Sequence, residues 1–392
     1  MIADAELEER FLKAQNVLHY VSRPVAFLGM WPVNITTGSR IRMVLYFIYH
    51  IYRMGMEFID LVMVFGNLEQ VIENLMITGT QVAIMMRLTF PRFTSSMRRV
   101  IDGLSDMHQR DNFTDTREME IFIEYSEICE KCYRIVVWSA TFACASWYLL
   151  PVQTYLIVKI RNGTFTYASP WRMPPFEAME KPEVVILLHL IEIPVAYLTA
   201  CYSLTYCIYF TLINHIRGQL VIMSHKIRNL NVDPVTNMRK IFNPIVEKHI
   251  KILHISKSLD DCSHIYLLFE LLNTILTLAL LSYNIMMNIN LSETALIINF
   301  FVYMYFMTVL VFANCYMSQC LEKEAMNLFY AFYEHDWSNL PLPYQKAFII
   351  CMLRAQTPLH ITAGKFYEFS LSGFTSIMKS SMAFVSMLRA TI

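Results

Sequence analysis

Seven long apolar runs dominate this chain and leave few folds open to it. They lie at 42–65, 70–90, 134–158, 183–211, 265–288, 295–319 and 366–388. A helix needs about 20 mostly apolar residues to cross a bilayer. The sixth run and the third run from residue 135 onward contain no charged residue, which soluble proteins rarely repeat at this length. We therefore predict an all-α membrane protein with seven transmembrane helices.

Composition and charge agree with a membrane protein. Charged residues make up 16% of the chain, whereas soluble domains carry about 25%. The 32 basic and 32 acidic residues balance, so nothing favours nucleic acid as a partner. No Gly/Ser/Pro-rich linker divides the chain, which predicts one domain over 1–392. The first ten residues are acidic and polar, unlike a cleavable signal peptide, so the first membrane helix would act as the signal.

The basic residues predict which way the bundle faces. Cytoplasmic loops are enriched in Lys and Arg. With the N-terminus inside, the inside segments 1–40, 91–133, 214–264 and 321–364 hold 21 basic residues, and the outside loops hold four. We predict a cytoplasmic N-terminus and an extracellular C-terminus, opposite to a G-protein-coupled receptor. None of the nine cysteines lies in an outside loop, so no extracellular disulfide is expected.

The inside segments predict a packed helical layer rather than loose loops. Asp115 is a candidate N-cap, with Glu118 three residues later. From there the pattern runs without a break into the third apolar run. Segment 214–264 contains two amphipathic stretches separated at Asp233-Pro234, which extend runs four and five. We find no internal repeat, so the inverted-repeat plan of many transporters has no support.

Motifs of enzymes and metal sites are missing. The sequence contains no HExxH, GxxxxGK[ST] or GxSxG. Cys129 and Cys132 have redox-like spacing, but no second Cys or His pair stands beside them. We interpret them as ordinary cysteines, and we predict neither enzymatic activity nor a cofactor.

Charged residues within the apolar runs are costly and are candidates for function. Arg53 and Glu57 are one helical turn apart and can pair, so we interpret them as an internal ion pair. Glu270 also falls within a run. For Glu192 and Lys379, internal pairing and a functional role are equally open.

Aromatic residues and methionines crowd runs two to six. Most of them should pack against neighbours or lipid. A subset beside polar residues such as Thr80, Gln81 and Ser146 could line an apolar pocket. Such a pocket suits a small volatile or lipid-like ligand.

The last 57 residues, 336–392, resemble the C-terminal signature of the insect odorant receptors. The matching positions are Trp337, Leu340, Pro341, Gln345, Lys346, Arg354, Ala355, Gln356, Pro358, Thr362, Ala363, Gly364, Lys365, Phe366, Leu371, Phe374, Lys379, Ser381, Leu388 and Arg389. The segment Leu28-Gly29-Met30-Trp31-Pro32 resembles the family's LGxWP element. His215 and Gln219 resemble its HxxxQ element.

The resemblance implies an odour-gated, non-selective cation channel in the plasma membrane of sensory neuron dendrites. Family members form tetramers in which a variable tuning subunit binds the odour and a shared coreceptor completes the channel. The coreceptor has a much longer insertion between spans four and five. Here that segment has only about 50 residues, so the chain resembles a tuning subunit. Expected partners are the coreceptor, a small apolar ligand and membrane lipid.

The resemblance also implies a division of the chain and a set of site residues. Residues 1–40 would form a cytoplasmic segment, 42–320 the six-helix ligand-binding bundle, and 321–392 an anchor helix and a pore-lining seventh helix. The implied ligand pocket lies among spans two, three, four and six, at Met76, Ile77, Thr80, Ala140, Ala143, Trp147, Ile193, Tyr197, Phe300 and Tyr303. The implied pore residues are Met382, Ser386, Arg389 and Ala390. Ser386 and Ala390 replace bulkier apolar gate residues of the family, which favours a heteromer.

Three alternatives stay open at this point. A gustatory-type channel shares the fold but usually ends in TYxxxLxQF, which is absent. A G-protein-coupled receptor is opposed by the charge bias and by the missing DRY-like and NPxxY motifs. A membrane enzyme or transporter lacks a catalytic cluster or a repeat.

Overall fold

Helices account for nearly all regular structure in this computed structural model, which describes residues 2–160, 171, 174, 182–230, 238–288 and 294–390. The first seven helices are α1 (Ile2–Gln15), α2 (Val17–Phe27), α3 (Thr37–Met63), α4 (Leu68–Phe93), α5 (Ser95–Met107), α6 (Thr116–Tyr148) and α7 (Leu150–Ile160). The next five are α8 (Pro182–Ile191), α9 (Ile193–Arg228), α10 (Met238–Asn288), α11 (Thr294–Glu334) and α12 (Leu342–Ala355). A hairpin of β1 (Thr362–Ala363) and β2 (Tyr367–Glu368) precedes α13 (Leu371–Ala390).

α9 lies at the centre of the bundle. It packs against α2, α4, α5, α6, α10 and α11. Every residue from Cys201 to Tyr209 is buried. A helix that is apolar on all sides is expected in such a position, because any face turned to water would be unfavourable. The other helices take their positions around it.

Two of the apolar runs are broken by proline. The third run, expected as one helix, divides at Leu149 into α6 and α7, two residues before Pro151. The fourth divides at Glu192 into α8 and α9, two residues before Pro194. Proline has no backbone N–H to donate and its ring clashes with the preceding turn. These breaks correct the expectation of two continuous spans.

The start of α6 is capped differently from the predicted capping box. Asp115 occupies the N-cap position with extended backbone, but its side chain makes no cap hydrogen bond. Instead the Glu118 carboxylate accepts from the Thr114 backbone N–H at 3.0 Å and from its hydroxyl at 2.9 Å. The helix then continues to Tyr148, so the predicted long extension of the third run is confirmed.

The surface of the bundle is apolar where lipid would cover it. On α3, Ile41, Leu45, Ile48 and Phe58 are all more than half exposed. In water an apolar patch of this kind would drive association. Three described helical stretches are long and apolar enough to cross a membrane, namely Val184–Arg228, Phe242–Ile285 and Phe300–Glu334. The predicted break at Asp233-Pro234 lies outside the described residues.

A hairpin fastens the last helix to α10. Gly364 and Lys365 both have positive φ angles, of 63° and 67°, which the tight turn between β1 and β2 requires. The Lys365 ammonium lies 2.7 Å from the Asp260 carboxylate on α10, and Asp260 also accepts from the Thr362 backbone N–H at 2.9 Å. This hairpin uses the first residues of the predicted seventh run, so α13 begins at Leu371 rather than at 366.

We call one part of the bundle the helical layer. It comprises α1, α5, α12, the first halves of α6 and α10, and the last halves of α9 and α11. Ring contacts tie it together. Phe11 packs on Phe113 with 5.1 Å between ring centres, and Phe242 stacks on Phe348 at 4.9 Å.

Candidate ligand-binding cavity

α4, α6, α9 and α11 surround a cavity of about 840 Å³, a volume that includes its open side. Its walls are mostly apolar and aromatic, with a few polar groups. This is the usual chemistry of a small-molecule site. The lining residues are Ile77, Thr80, Gln81, Ala140, Ala143, Cys144, Trp147, Trp171, Thr199, Tyr202, Ser203, Val302, Tyr303, Phe306 and Met307.

Six of the ten residues proposed for a pocket from the sequence line this cavity. They are Ile77, Thr80, Ala140, Ala143, Trp147 and Tyr303. The Trp147 and Tyr303 rings both line it and pack against each other, with 6.0 Å between centres. The Thr80 and Tyr303 hydroxyls form a hydrogen bond between α4 and α11. The structure thus brings α4, α6 and α11 together at these six positions, which the family resemblance implied.

The other four lie beside the cavity without lining it. Met76 and Phe300 are buried in a separate apolar cluster that also contains Leu281. Ile193 and Tyr197 are 49% and 37% exposed, and the Tyr197 hydroxyl donates to the Pro24 carbonyl at 3.1 Å. On α9 the cavity is lined further along the helix, at Thr199, Tyr202 and Ser203.

Several lining residues were not among the sequence candidates. Phe306 and Met307 stand three and four positions after Tyr303, so the helical repeat could have suggested them. Thr199, Tyr202 and Ser203 form a similar set on α9. Trp171 lies between the apolar runs, and nothing in its local sequence predicts a wall position.

A buried ion pair lies behind the cavity wall, next to Tyr202. Arg87 on α4 pairs with Glu270 on α10, and both are almost fully buried. The Tyr202 hydroxyl, in the cavity wall, donates to the same Glu270 carboxylate. The Arg87 guanidinium also lies over the Tyr206 ring, 3.6 Å from its centre, and donates to the Thr205 hydroxyl at 2.7 Å. Each charge is therefore held by several partners, as burial requires.

A second buried charge cluster joins α3 to the break between α8 and α9. Arg53 lies 3.3 Å from Glu57, so the predicted internal pair is confirmed. The Arg53 guanidinium also lies 3.8 Å from the Glu192 carboxylate. Asn74 on α4 donates to Asp60 at 2.8 Å. Glu192 is therefore paired, whereas Lys379 is exposed on α13.

His215 and Gln219 are buried in the helical layer. His215 meets His108, which sequence analysis did not single out, with 4.6 Å between ring centres. Burial, together with the neighbouring His215 and Lys248, lowers the pKa of His108 well below its usual value. Its imidazole is thus neutral at physiological pH and needs no counter-charge.

The described residues include no group of three or more His, Cys, Asp or Glu side chains placed to hold a metal ion. Cys129 is buried, and its thiol donates to the Tyr125 carbonyl at 3.2 Å. All nine cysteines are free thiols. Of the nine cysteines, Cys144 alone lines the cavity.

One face of α13 packs against α10 and α11, and the opposite face is open. Ile377 and Ser381 are buried, whereas Met382 is 60% exposed and Ser386 is also exposed. Arg389 and Ala390 belong to the last turn of the helix, and their side chains lie outside the described part of the structure. The open face is the one that carries Met382 and Ser386.

Comparison with known proteins decides the family. A family model described as 7tm odorant receptor matches residues 67–382. The chain belongs to the insect odorant receptor family. The resemblance stated from the C-terminal motifs is confirmed. This family is one of receptors rather than enzymes.

Relatives in the family are distant. Odorant receptor 10 of Aedes albopictus is 33% identical over 79 residues, which are 20% of this chain and 21% of that receptor. Odorant receptor 85f of Drosophila melanogaster is 23% identical over 254 residues, or 62% of each chain. The chain thus matches about a fifth and about three fifths of these receptors' lengths.

The fold is also that of a solved receptor. The insect olfactory receptor OR5 from Machilis hrabei in complex with eugenol superposes with a TM-score of 0.80 at 15% identity, over 97% of this chain and all of that one. A further structure of the same receptor gives a TM-score of 0.72 over 95% of this chain and 99% of that one, at 16% identity. The predicted all-α membrane fold is confirmed by this likeness.

Proposed function

We propose that this odorant receptor is the odour-binding tuning subunit of a ligand-gated, non-selective cation channel formed with a shared coreceptor. The observation that carries the proposal is the cavity among α4, α6, α9 and α11, which a small volatile molecule would fill. The Machilis hrabei receptor of the same fold was solved with eugenol. A bound odorant is therefore the natural occupant of this space.

The tuning role is supported by the short connection between α9 and α10. α9 ends at Arg228 and α10 begins at Met238. The resemblance implies that the coreceptor carries a much longer insertion there. The basic residues favour a cytoplasmic N-terminus and an extracellular C-terminus, in the plasma membrane of a sensory dendrite.

The mechanism we propose is a shift between closed and open states. A ligand that binds the open form better raises its population. The walls available for binding are the six lining residues named above, with Met76, Ile193, Tyr197 and Phe300 around them. Burial of a small apolar ligand contributes roughly 25 cal/mol per Å² before the costs of binding.

The conducting element we propose is α13. Its open face, with Met382 and Ser386, would turn towards the pore, and Arg389 and Ala390 would lie at its end. The hairpin from β1 to β2 links this helix to α10, whose Glu270 meets the cavity at Tyr202. That chain of contacts gives a route by which cavity occupancy could reach the pore.

Whole-cell recording tests the proposal. Cells would express the receptor alone, the coreceptor alone or both, and would be screened with volatile ligands that include eugenol. We expect a fast cation current that needs both subunits. Trp147→Ala should then shift the half-maximal concentration about tenfold or more, because it removes a ring from the cavity wall.

Trp138→Ala is the matched control on the same helix. Trp138 is 77% exposed and faces away from the cavity. Its loss should leave ligand sensitivity unchanged at equal surface expression. Equal shifts in the two variants would count against the cavity, and a current that depended on G-protein coupling would refute the channel.

A further inference from the structure

The hydroxyl groups on the α4 and α11 side of the cavity are already engaged. The Thr80 hydroxyl donates to the Met76 carbonyl at 2.9 Å, one turn back on its own helix. Its bond with Tyr303 must therefore use the tyrosine proton. Both hydroxyl protons already form hydrogen bonds within the protein. A ligand could accept a hydrogen bond from either hydroxyl only if that internal bond broke.

The hydroxyls on the α9 side are engaged in the same way. Thr199 donates to the Val195 carbonyl at 2.9 Å, and Ser203 donates to the Thr199 carbonyl at 3.3 Å. The Tyr202 hydroxyl donates to the Glu270 carboxylate. No hydroxyl proton of this wall is left for a ligand.

Gln81 differs from all of them. It lines the cavity and is only 3% exposed. Its backbone carbonyl lies 3.1 Å from the His50 Nε2, but its side-chain amide has no hydrogen-bond partner among the described residues. Because this amide has no partner in the described protein, a cavity occupant can bond to it without breaking an existing protein hydrogen bond. It will therefore favour a cavity occupant that can bond to it.

Among the described lining residues, the amide is also the one group that can both donate to and accept from a ligand. Its nitrogen donates and its oxygen accepts, whereas the tryptophan indoles only donate and the Cys144 thiol is a weak donor. We propose that the Gln81 carboxamide is the polar contact of this site. It selects small odorants with an apolar body and one hydrogen-bonding oxygen group, such as an alcohol or ketone, over hydrocarbons. This inference rests on the proposed function and specifies its ligand class.

The test uses a matched ligand series on one eight-carbon skeleton, namely octane, octan-2-one and octan-2-ol. Receptor and coreceptor are expressed together, and currents are compared at equal surface expression. In the unmodified receptor the two oxygenated ligands should be effective at concentrations about tenfold or more below that of octane. Octane acting as well as the other two would overturn the proposal without any variant.

Gln81→Met keeps the length of the side chain and removes both hydrogen-bonding atoms. It should raise the half-maximal concentrations of octan-2-one and octan-2-ol about tenfold and leave that of octane unchanged or lower. Thr199→Val is the control, because its hydroxyl already serves its own helix. Thr199→Val should leave the relative potencies of the three ligands unchanged.

The outcomes distinguish the two proposals. If Gln81→Met shifts all three ligands equally, the amide contributes only shape and the inference fails while the channel stands. If Gln81→Met does not reach the surface, the relative potencies of octane, octan-2-one and octan-2-ol on the unmodified receptor still test the proposed ligand class. If the unmodified receptor beside the coreceptor responds to no ligand of this series or of the wider panel, the proposed function fails and this inference with it.

Discussion

α9 passes through two contrasting environments along its length. At the cavity, its Thr199, Tyr202 and Ser203 face open space shared with α4, α6 and α11. In the helical layer, Leu212 and Ile216 are enclosed completely by neighbouring helices. The same helix therefore contributes a binding wall in one half and a packed core in the other.

Polar groups are arranged differently in the two regions. At the cavity the wall hydroxyls bond to their own helix, to each other between α4 and α11, or to the neighbouring Glu270 carboxylate, which leaves Gln81 open. In the layer, several polar side chains join helices to one another, whereas those of His215 and Gln219 are buried without a hydrogen-bond partner among the described residues. Asn214 donates to the Tyr125 carbonyl at 3.2 Å, and the Arg217 guanidinium lies 3.7 Å from the Glu324 carboxylate. The difference teaches that contacts between helices hold the layer together, whereas the cavity wall keeps one amide without a partner in the described part of the protein.

The boundary between the two regions should be the most sensitive point. Glu270→Ala would leave Arg87 buried without its counter-charge. Breaking such a pair costs about 3–5 kcal/mol. We expect a large fall in thermal stability of the purified receptor in detergent, measured by intrinsic fluorescence.

An exposed pair supplies the control for this prediction. Arg98 and Asp102 lie 3.6 Å apart on α5, and both are well exposed. Asp102→Ala should cost less than about 1 kcal/mol. If Glu270→Ala were no more harmful than Asp102→Ala, the ion pair would not be the structural boundary described here.

The second prediction compares truncations on the two sides of that boundary. Leu212→Ala, in the layer, should cost about 2–5 kcal/mol, because it opens a cavity in a packed core. Ile77→Ala only enlarges a space that already exists, and it should cost under about 2 kcal/mol. Its main effect should be on ligand sensitivity.

Thermal stability and ligand-evoked current, measured on both variants, check this contrast. Loss of stability in Ile77→Ala equal to that in Leu212→Ala would mean that the cavity wall supports the fold as strongly as the layer does. The contrast between the regions would then be wrong.

Much of this arrangement could be predicted from the sequence, but only where the signal is local. The apolar runs predicted the main helices, and one-turn spacing predicted the pair of Arg53 and Glu57. The partners of Glu270 could not be predicted, because Arg87 lies 183 positions away in the chain. Its position depends on how α4 and α10 pack, which no local pattern encodes.

The cavity shows the same limit. On α4, α6 and α11, residues such as Thr80, Trp147 and Tyr303 were suggested by family position and helical spacing. On α9 the candidates Ile193 and Tyr197 lie before the segment that faces the cavity. The helical run breaks at Glu192, two residues before Pro194, and α9 starts there as a new helix. A proline is a local signal for such a break, but the face of the new helix that meets the cavity depends on how α9 packs against its neighbours.

The smallest effect on stability should come from filling the cavity. Ala143→Leu adds three carbons where the wall faces open space. We expect a change in the free energy of unfolding within about 1 kcal/mol, because the added methyl groups gain contacts without displacing packed atoms. The same substitution at Ala331, which is fully buried on α11 in the layer, should cost about 1–3 kcal/mol by overpacking.

Ligand sensitivity should respond in the opposite order, with a larger change for Ala143→Leu than for Ala331→Leu. Ala143→Leu reduces the space for a ligand, so larger odorants should lose potency more than small ones in recordings with the coreceptor. Ala331→Leu, once at the surface, should leave the order of ligand potency unchanged, because it touches no wall of the cavity. If Ala143→Leu destabilised the receptor as much as Ala331→Leu, the space at Ala143 would already be filled by protein when the receptor is folded in a membrane. In that case the search for the odorant site would have to move to another part of the bundle.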